Sequence, residues 1–395
     1  MELGATTSRG PDAGERLLRP RTDHGVEVLH RVRRIVLVAV MVTLVPVVFS
    51  YVGTMAEPSN SSLGVRTVEW LRDHGAAGLV SQVESTYYSL TAPGKGGPAL
   101  RALPKVGYNA AGPAVGRAAL SAVLPYQPPR VASLVHPELP GEGSWRSTRS
   151  GLGAQPPLLV TTLRNQPEYP RVVAGLAWID TKRTTLTLNP GRMEPPVSIS
   201  RGTMDVPYAK RSRLLATFNS GFKLGDSHGG FVLNGRTYAK MRDGQATLVG
   251  YTNGQVDVVN WSYGQTAPGT VSFARQNLPL LVNEGRASPN LNSSEWGVTV
   301  GNAVLVWRSG IGVDAHGNLI YAAGDNQTVG SLAHTLIHAG AIRAMELDIN
   351  SYWVSFITYG APGAGEPLNL LPNMSRSAER YLTPDDRDFF AVYAH

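Results

Sequence analysis

The distribution of apolar positions divides the chain into stretches of different character. From Ile35 to Ala56 the residues run IVLVAVMVTLVPVVFSYVGTMA, 22 positions without a charge, and a helix of about 20 residues crosses the hydrocarbon core of a bilayer. Pro46, near its middle, is tolerated in a membrane helix, where it kinks the span rather than ending it. Beyond the span, Val65, Val68, Leu71, Leu79, Val80 and Val83 recur at helical spacing. This predicts two short helices broken near Gly75 and Gly78. Thr91 to Gly153 is dense in Pro and Gly with few long apolar runs, and reads as an extended linker or wrapping segment.

From Leu158 onward the pattern becomes that of strands. Leu158–Leu163, Val172–Trp178 and Thr184–Leu188 are β-rich stretches between turn residues, and Leu214–Asn219, Gly230–Leu233, Ala246–Tyr251, Val256–Trp261, Ala303–Val306 and Leu319–Ala323 follow. Asn234-Gly235, Asp243-Gly244 and Asn253-Gly254 are hairpin-type dipeptides, which predicts an antiparallel meander there. Near residue 328 the period lengthens. Thr328 or Ser331 can cap a helix running to Ala339, Gly340 supplies its stop, and Ile342–Ile349 reads as a strand. The C-terminal segment with Tyr352, Trp353, Phe356 and Tyr359 continues or closes the sheet. The predicted class is α+β, a strand-rich domain with a mixed or antiparallel sheet, preceded by one transmembrane helix.

The expected organisation is a basic cytoplasmic tail (1–34), a transmembrane helix (35–56), a helical and Pro/Gly-rich linker (57–153) and a globular domain (154–395). Residues 1–30 show no periodicity and read as a disordered tail. Arg31, Arg33 and Arg34 precede the span, whereas the first charges after it are Glu57 and Arg66. The positive-inside rule then places the N-terminus in the cytoplasm and the domain outside a cell membrane crossed once. A cleaved signal peptide is the alternative, against which the apolar stretch is longer than the usual h-region.

Composition sharpens this picture at three points. A hydrophobic share of 42%, with 7 Trp and 15 Tyr, supplies a sizeable core. The chain has no cysteine, which excludes disulfides, zinc-thiolate sites and thiol nucleophiles. Net charge is +7, yet no run of basic residues interleaved with aromatics is present, so no nucleic-acid partner is expected.

Three constellations carry chemistry. Phe218-Asn219-Ser220-Gly221-Phe222, followed by Asp226, His228, Gly229 and Gly230, ends a strand in small and polar residues beside closely approaching backbone; it suits a sugar or phosphate, or is a Gly-rich turn with an exposed His. Trp307-Arg308-Ser309-Gly310-Ile311-Gly312 sets an Arg ahead of two glycines, a bidentate clamp for phosphate or carboxylate, or a strand Arg paired on the surface. In Met345-Glu346-Leu347-Asp348-Ile349-Asn350-Ser351, a strand would put Glu346, Asp348 and Asn350 on one face; two adjacent carboxylates suit acid/base work, and the alternative is an exposed polar face. His334 and His338, at i and i+4, have the spacing of a metal pair but no third ligand, and read as two partly exposed histidines on a helix.

In order and approximate spacing these constellations resemble the phosphodiester glycosidase family. Asn219-Ser220-Gly221-Phe222-Lys223 looks like its Asn-Gly-Gly-Phe-Phe motif, Arg308-Ser309-Gly310-Ile311-Gly312 its Arg-Thr-Ala-Ile-Gly element. Gly340-Ala341 and Ala344-Met345-Glu346-Leu347-Asp348 echo its Gly-Ala and Ala-Leu-Asn-Leu-Asp motif. The resemblance covers roughly Leu158 to Phe356. It departs at Ile349-Asn350-Ser351-Tyr352, where the family has Gly-Gly-Gly-Ser, and at Ser220.

The resemblance implies a membrane-anchored, extracytoplasmic glycosidase-like hydrolase acting on a sugar phosphodiester or a cell-envelope glycan. Arg308 would grip the phosphate, Asp348 with Glu346 would supply acid/base chemistry, and Asn219, Gly221, His228 and Ser351 would bind substrate. No metal or other cofactor is required by this scheme. The expected partners are a carbohydrate or sugar-phosphate ligand and the lipid bilayer through 35–56. The rival expectation is a catalytically inactive glycan-binding domain in envelope assembly. A third is a structural partner with an exposed apolar patch and no polar cleft.

Overall fold

The computed structural model of the protein describes residues 24–98, 100–107, 125–292, 296–297 and 305–395. The first 23 residues of the tail expected over 1–30, and the first two residues of the strand expected at 303–306, lie outside them. The chain divides into two compact units, Met1–Glu57 and Pro58–His395.

The first unit is a helix, α1 (His24–Ala56), with Pro46 inside it. It begins upstream of the expected span, so residues 24–30 are helical rather than irregular: Val28, Leu29 and Val32 extend the apolar run, and Glu27 sits in the first turn, where the helix dipole favours an acid. The part from Glu27 to Ala56 is long and apolar enough to cross a membrane, a property that a signal sequence shares.

The second unit opens with α2 (Leu63–Leu71) and α3 (Ala77–Thr91). Ser62 caps α2, its side chain accepting from the Val65 N–H. The break between the helices falls at Gly75, whose φ of +88° is a conformation other residues rarely adopt. The segment leading into α2 is pinned down: Ser59 and Ser61 donate to Asp386, and Asn60 donates to Asp385 at 3.0 Å.

Three antiparallel sheets follow among the described residues. The largest orders its strands 146–147, 158–164, 173–179, 319–327, 306–314, 341–346, 282–283 and 286–287. Val306–Asp314 is buried at every position, as a central strand covered on both faces must be. One face packs against the other two sheets through Leu158, Ile179, Ile311, Tyr321 and Met345. After the single turn of α4 (Leu224–Ser227), the next helix, α5 (Val329–His338), covers the opposite face and contributes Val329, Leu332, Ala333 and Leu336 to a second core. A reciprocal capping box starts α5, the Thr328 and Ser331 side chains each accepting from the other's backbone N–H at 2.9 Å.

The second sheet orders 236–239, 231–233, 271–276, 246–251 and 256–260. It departs from a simple meander. The Asn234-Gly235 and Asn253-Gly254 hairpins form as expected, but Val271–Gln276 is inserted between them. The third sheet orders 365–369, 356–361, 214–219, 389–394 and 184–189, with Phe218, Phe356 and Phe390 stacked at its centre.

Candidate functional site

The strand Ala341–Glu346 stops two residues before Asp348, so Asp348 is freed from the sheet's alternation. Its backbone stays clamped to the neighbouring strand: Ser309 N–H and Ser309 Oγ both donate to the Asp348 carbonyl, at 3.1 and 2.8 Å. The carboxylate accepts from Asn350 N–H at 2.9 Å and from Arg387 Nη2 at 3.1 Å. Burial pushes the Asp348 pKa above the usual aspartate range, against the pull of Arg387.

Arg387 arrives by strand register. Phe389 lies opposite Asn219 in an antiparallel pair, so the chain two residues earlier meets the chain two residues later. Arg387 accordingly donates to the Gly221 carbonyl at 3.0 Å. Its charge is held firmly, for although burial opposes it, Asp348, Glu194 and Glu69 raise its pKa. Its guanidinium lies 5.1 Å from the Trp353 ring centre. Arg387 Nε and Trp353 Nε1 are buried donors without a partner among the described residues.

Asp348, Arg387 and Trp353 line a cavity of about 970 Å³, large enough for a sugar phosphate. Lys223 and His228 form another wall, and α2 and α3 close over it with Glu69, Arg72, Glu84 and Tyr88. The charges are interlocked: Lys223 pairs with Glu69 and Asp73, and Arg72 binds both oxygens of Glu84 at 2.6 Å. Lys223 keeps a raised pKa, Glu69 and Asp73 overcoming its burial.

The residues expected from sequence are divided by this geometry. Asp348 lines the cavity, and exposed His228, at φ +52°, stands at its edge. Gly221 contributes its carbonyl to Arg387, and a Cβ there would come within 2.9 Å of Asn277. Asn219 is spent internally: its amide donates to Ser220 O and Ser309 Oγ, and its oxygen accepts from Tyr321 OH and Ser355 N–H. Ser351 makes a weak 3.5 Å contact with Tyr88 OH and does not line the cavity.

Arg308 and Glu346, expected as the phosphate grip and an acid/base partner, do not line the cavity. Both side chains are fully buried, joined at 2.6 Å. Arg308 also donates to the Trp296 and Gln327 carbonyls, at 3.1 and 3.3 Å. Burial pushes the Glu346 pKa up to about 7, Arg308 opposing and Asp348 adding to the rise. The glycines that follow Arg308 serve packing: a Cβ on Gly310 would meet the Met345 carbonyl at 2.9 Å and Leu336 of α5 at 3.0 Å. His334 is exposed, and His338 Nε2 meets the Ala132 carbonyl at 2.7 Å.

Arg387, Lys223 and Glu69 line the cavity but have no role in the scheme that the sequence suggests. The run Asp385-Asp386-Arg387-Asp388 directly before an apolar strand was the available signal, since four buried charges in a row require partners.

Residues 211–348 match the family model described as phosphodiester glycosidase. That stretch contains Phe218–Phe222 and Arg308–Gly312 and ends on Asp348, so the family read from the three motifs is borne out there, as is its strand-rich fold. No curated protein matches the chain. Among solved structures it is similar to the zebrafish N-acetylglucosamine-1-phosphodiester alpha-N-acetylglucosaminidase catalytic domain, auto-inhibited by pro-peptide, at 15% identity over 62% of this chain and 85% of that one, with a TM-score of 0.42. It is also similar to a hypothetical protein from Synechocystis, at 15% identity over 60% of this chain and 64% of that one, with a TM-score of 0.32. Arg387, α2 and α3 fall outside the stretch matched by the family model.

Proposed function

We propose that the protein is a membrane-anchored, extracytoplasmic phosphodiester glycosidase whose substrate is a sugar phosphodiester of the cell envelope. The observation that carries this reading is the cavity beside Asp348, where a carboxylate with a raised pKa stands next to Arg387 and two unpartnered donors. Arg387 and Lys223 hold the phosphodiester and neutralise the charge that grows on it as the bond from phosphate oxygen to anomeric carbon breaks. Water adds to the anomeric carbon and the phosphate leaves as a monoester. Asp348 handles the proton, its raised pKa bringing it nearer the working pH. His228 and the Trp353 indole N–H orient the sugar.

A second reading is favoured by one observation. Ile349 and Asn350 line the cavity where the resembled motif has glycines, so side chains occupy space beside the ligand that backbone would leave open. In that reading the domain binds envelope glycan without turning it over.

The deciding assay is hydrolysis of a panel of sugar-1-phosphodiesters by the full chain in nanodiscs, with Asp348→Asn and Arg387→Ala alongside. Turnover lost in both folded variants supports catalysis. An inactive wild type that is retained on cell-wall glycan assigns the binding role instead.

A further inference from the structure

Helix α3 has two faces of opposite character. At about 100° per residue, Leu79, Val83, Tyr87 and Leu90 fall within an arc of about 80°, and they are 67%, 61%, 62% and 82% exposed. Gly78, Ser81, Glu84 and Tyr88 lie on the other side and line the cavity. The outer face carries no charge: Glu84 is the one ionisable acid or base of α3 besides its tyrosines, and it is turned inward onto Arg72. A helix face meant for water ordinarily carries charged residues, whereas four large apolar side chains in a row mark a binding surface.

We infer that the outer face of α3 lies on a lipid bilayer. Three observations favour a bilayer over other occupants. The same chain carries a second lipid-seeking segment, Glu27–Ala56, only twenty residues before α3 begins at Ala77. The stripe combines Tyr87, a residue type enriched at the level of the headgroups, with leucine and valine, the residue types of the apolar face of an interfacial helix. A second copy meeting the same stripe would gain on the order of 400 Å² per copy, against about 800 Å² per partner in a stable dimer. Because one helix carries both faces, seating α3 on lipid holds the wall formed by Ser81, Glu84 and Tyr88 at the membrane surface. The inference concerns a surface and stands whether or not the cavity is catalytic.

The absence of cysteine permits a direct test. Single variants Leu79→Cys, Val83→Cys, Tyr87→Cys and Leu90→Cys, with Asn253→Cys on an exposed hairpin turn for comparison, are labelled with an environment-sensitive fluorophore. The full chain is reconstituted in phosphatidylcholine–phosphatidylglycerol vesicles containing nitroxide-bearing lipid, and variants that melt like the unlabelled protein are read. The expected result is a blue-shifted emission at the four stripe positions, about half of it lost to the lipid quencher, with little loss at Asn253. Water-like emission at Val83 and Tyr87 would overturn the inference. So would emission that is blue-shifted, insensitive to the lipid quencher and self-quenched as the number of copies per vesicle rises, which would assign the stripe to a second copy.

Discussion

Two arginine–carboxylate pairs lie close together in this domain, one sealed and one open. Arg308 and Glu346 sit on adjacent strands of the large sheet, both fully buried and joined at 2.6 Å. Arg387 and Asp348 meet at 3.1 Å, are 8% and 7% exposed, and line a cavity. The chemistry is the same, but the backbone differs. Glu346 is the last residue of its strand and obeys the sheet's alternation, which holds it inside. Asp348 lies beyond the strand's end, where the turn to Asn350 directs it to the cavity. Each pair keeps one guanidinium nitrogen without a partner among the described residues, Arg308 Nη2 and Arg387 Nε, but the pair at the strand's end lines the cavity and is the one available to a ligand.

The largest effect that would test this division is on activity. Asp348→Asn keeps the shape and removes the ionisable group, so kcat against a sugar-1-phosphodiester should fall by about a thousandfold or more, with the thermal midpoint nearly unchanged. Retained turnover would move the chemistry away from Asp348. The sealed pair should respond in the opposite manner. Above pH 7, where Glu346 is ionised, Arg308→Ala leaves its charge buried without a partner and should cost about 3–5 kcal/mol in urea unfolding, whereas the double replacement Arg308→Met with Glu346→Leu should recover most of that loss.

The contrast also marks what was legible in the sequence. Leu214–Asn219 and Ala246–Tyr251 form over the very residues that their pattern predicts, and Thr328 caps α5 as expected. Those features depend on period, turn chemistry and capping within a few residues. Asp348 was legible for the same reason, standing in a short motif. Arg387 was not: it reaches Asp348 across 39 positions because Phe389–Ala394 pairs with Leu214–Asn219. Arg308 stands before two glycines as a phosphate clamp would, whereas the fold buries it away from the cavity and Gly310 leaves room for the Met345 carbonyl and Leu336. The helical wall is not legible in the sequence, because the spacing of apolar residues in α2 and α3 predicts helices without saying what they cover.

A pH series separates the pairs on a smaller scale. Glu346, with a pKa of about 7 against an ordinary 4.5, holds a proton in the folded state that the unfolded chain has already released. Its contribution to stability is full below pH 4.5, is lost as pH rises to about 7, and stays lost above that. The total is at most about 3 kcal/mol. Other buried carboxylates titrate as well, so the quantity to measure is the difference between wild type and Glu346→Gln. A difference that does not change across this window would show Glu346 to be ionised throughout, held so by Arg308.

The smallest effect concerns the open pair's surroundings. Lys223 is one of the cations facing the cavity, and Glu69 and Asp73 on the helical side are its partners. An anionic ligand that uses Lys223 must compete with those carboxylates. Glu69→Gln removes one of them at a partly buried position while keeping its shape, which should lower KM for a phosphodiester by roughly threefold to tenfold, the equivalent of ~1 kcal/mol. The effect should shrink for a neutral glycoside of the same sugar, because only the anion gains from a freed ammonium. An equal change for both substrates would assign Glu69 to the packing of α2 rather than to the charge of the site, and Lys223 would then belong with the sealed pair as a structural cation.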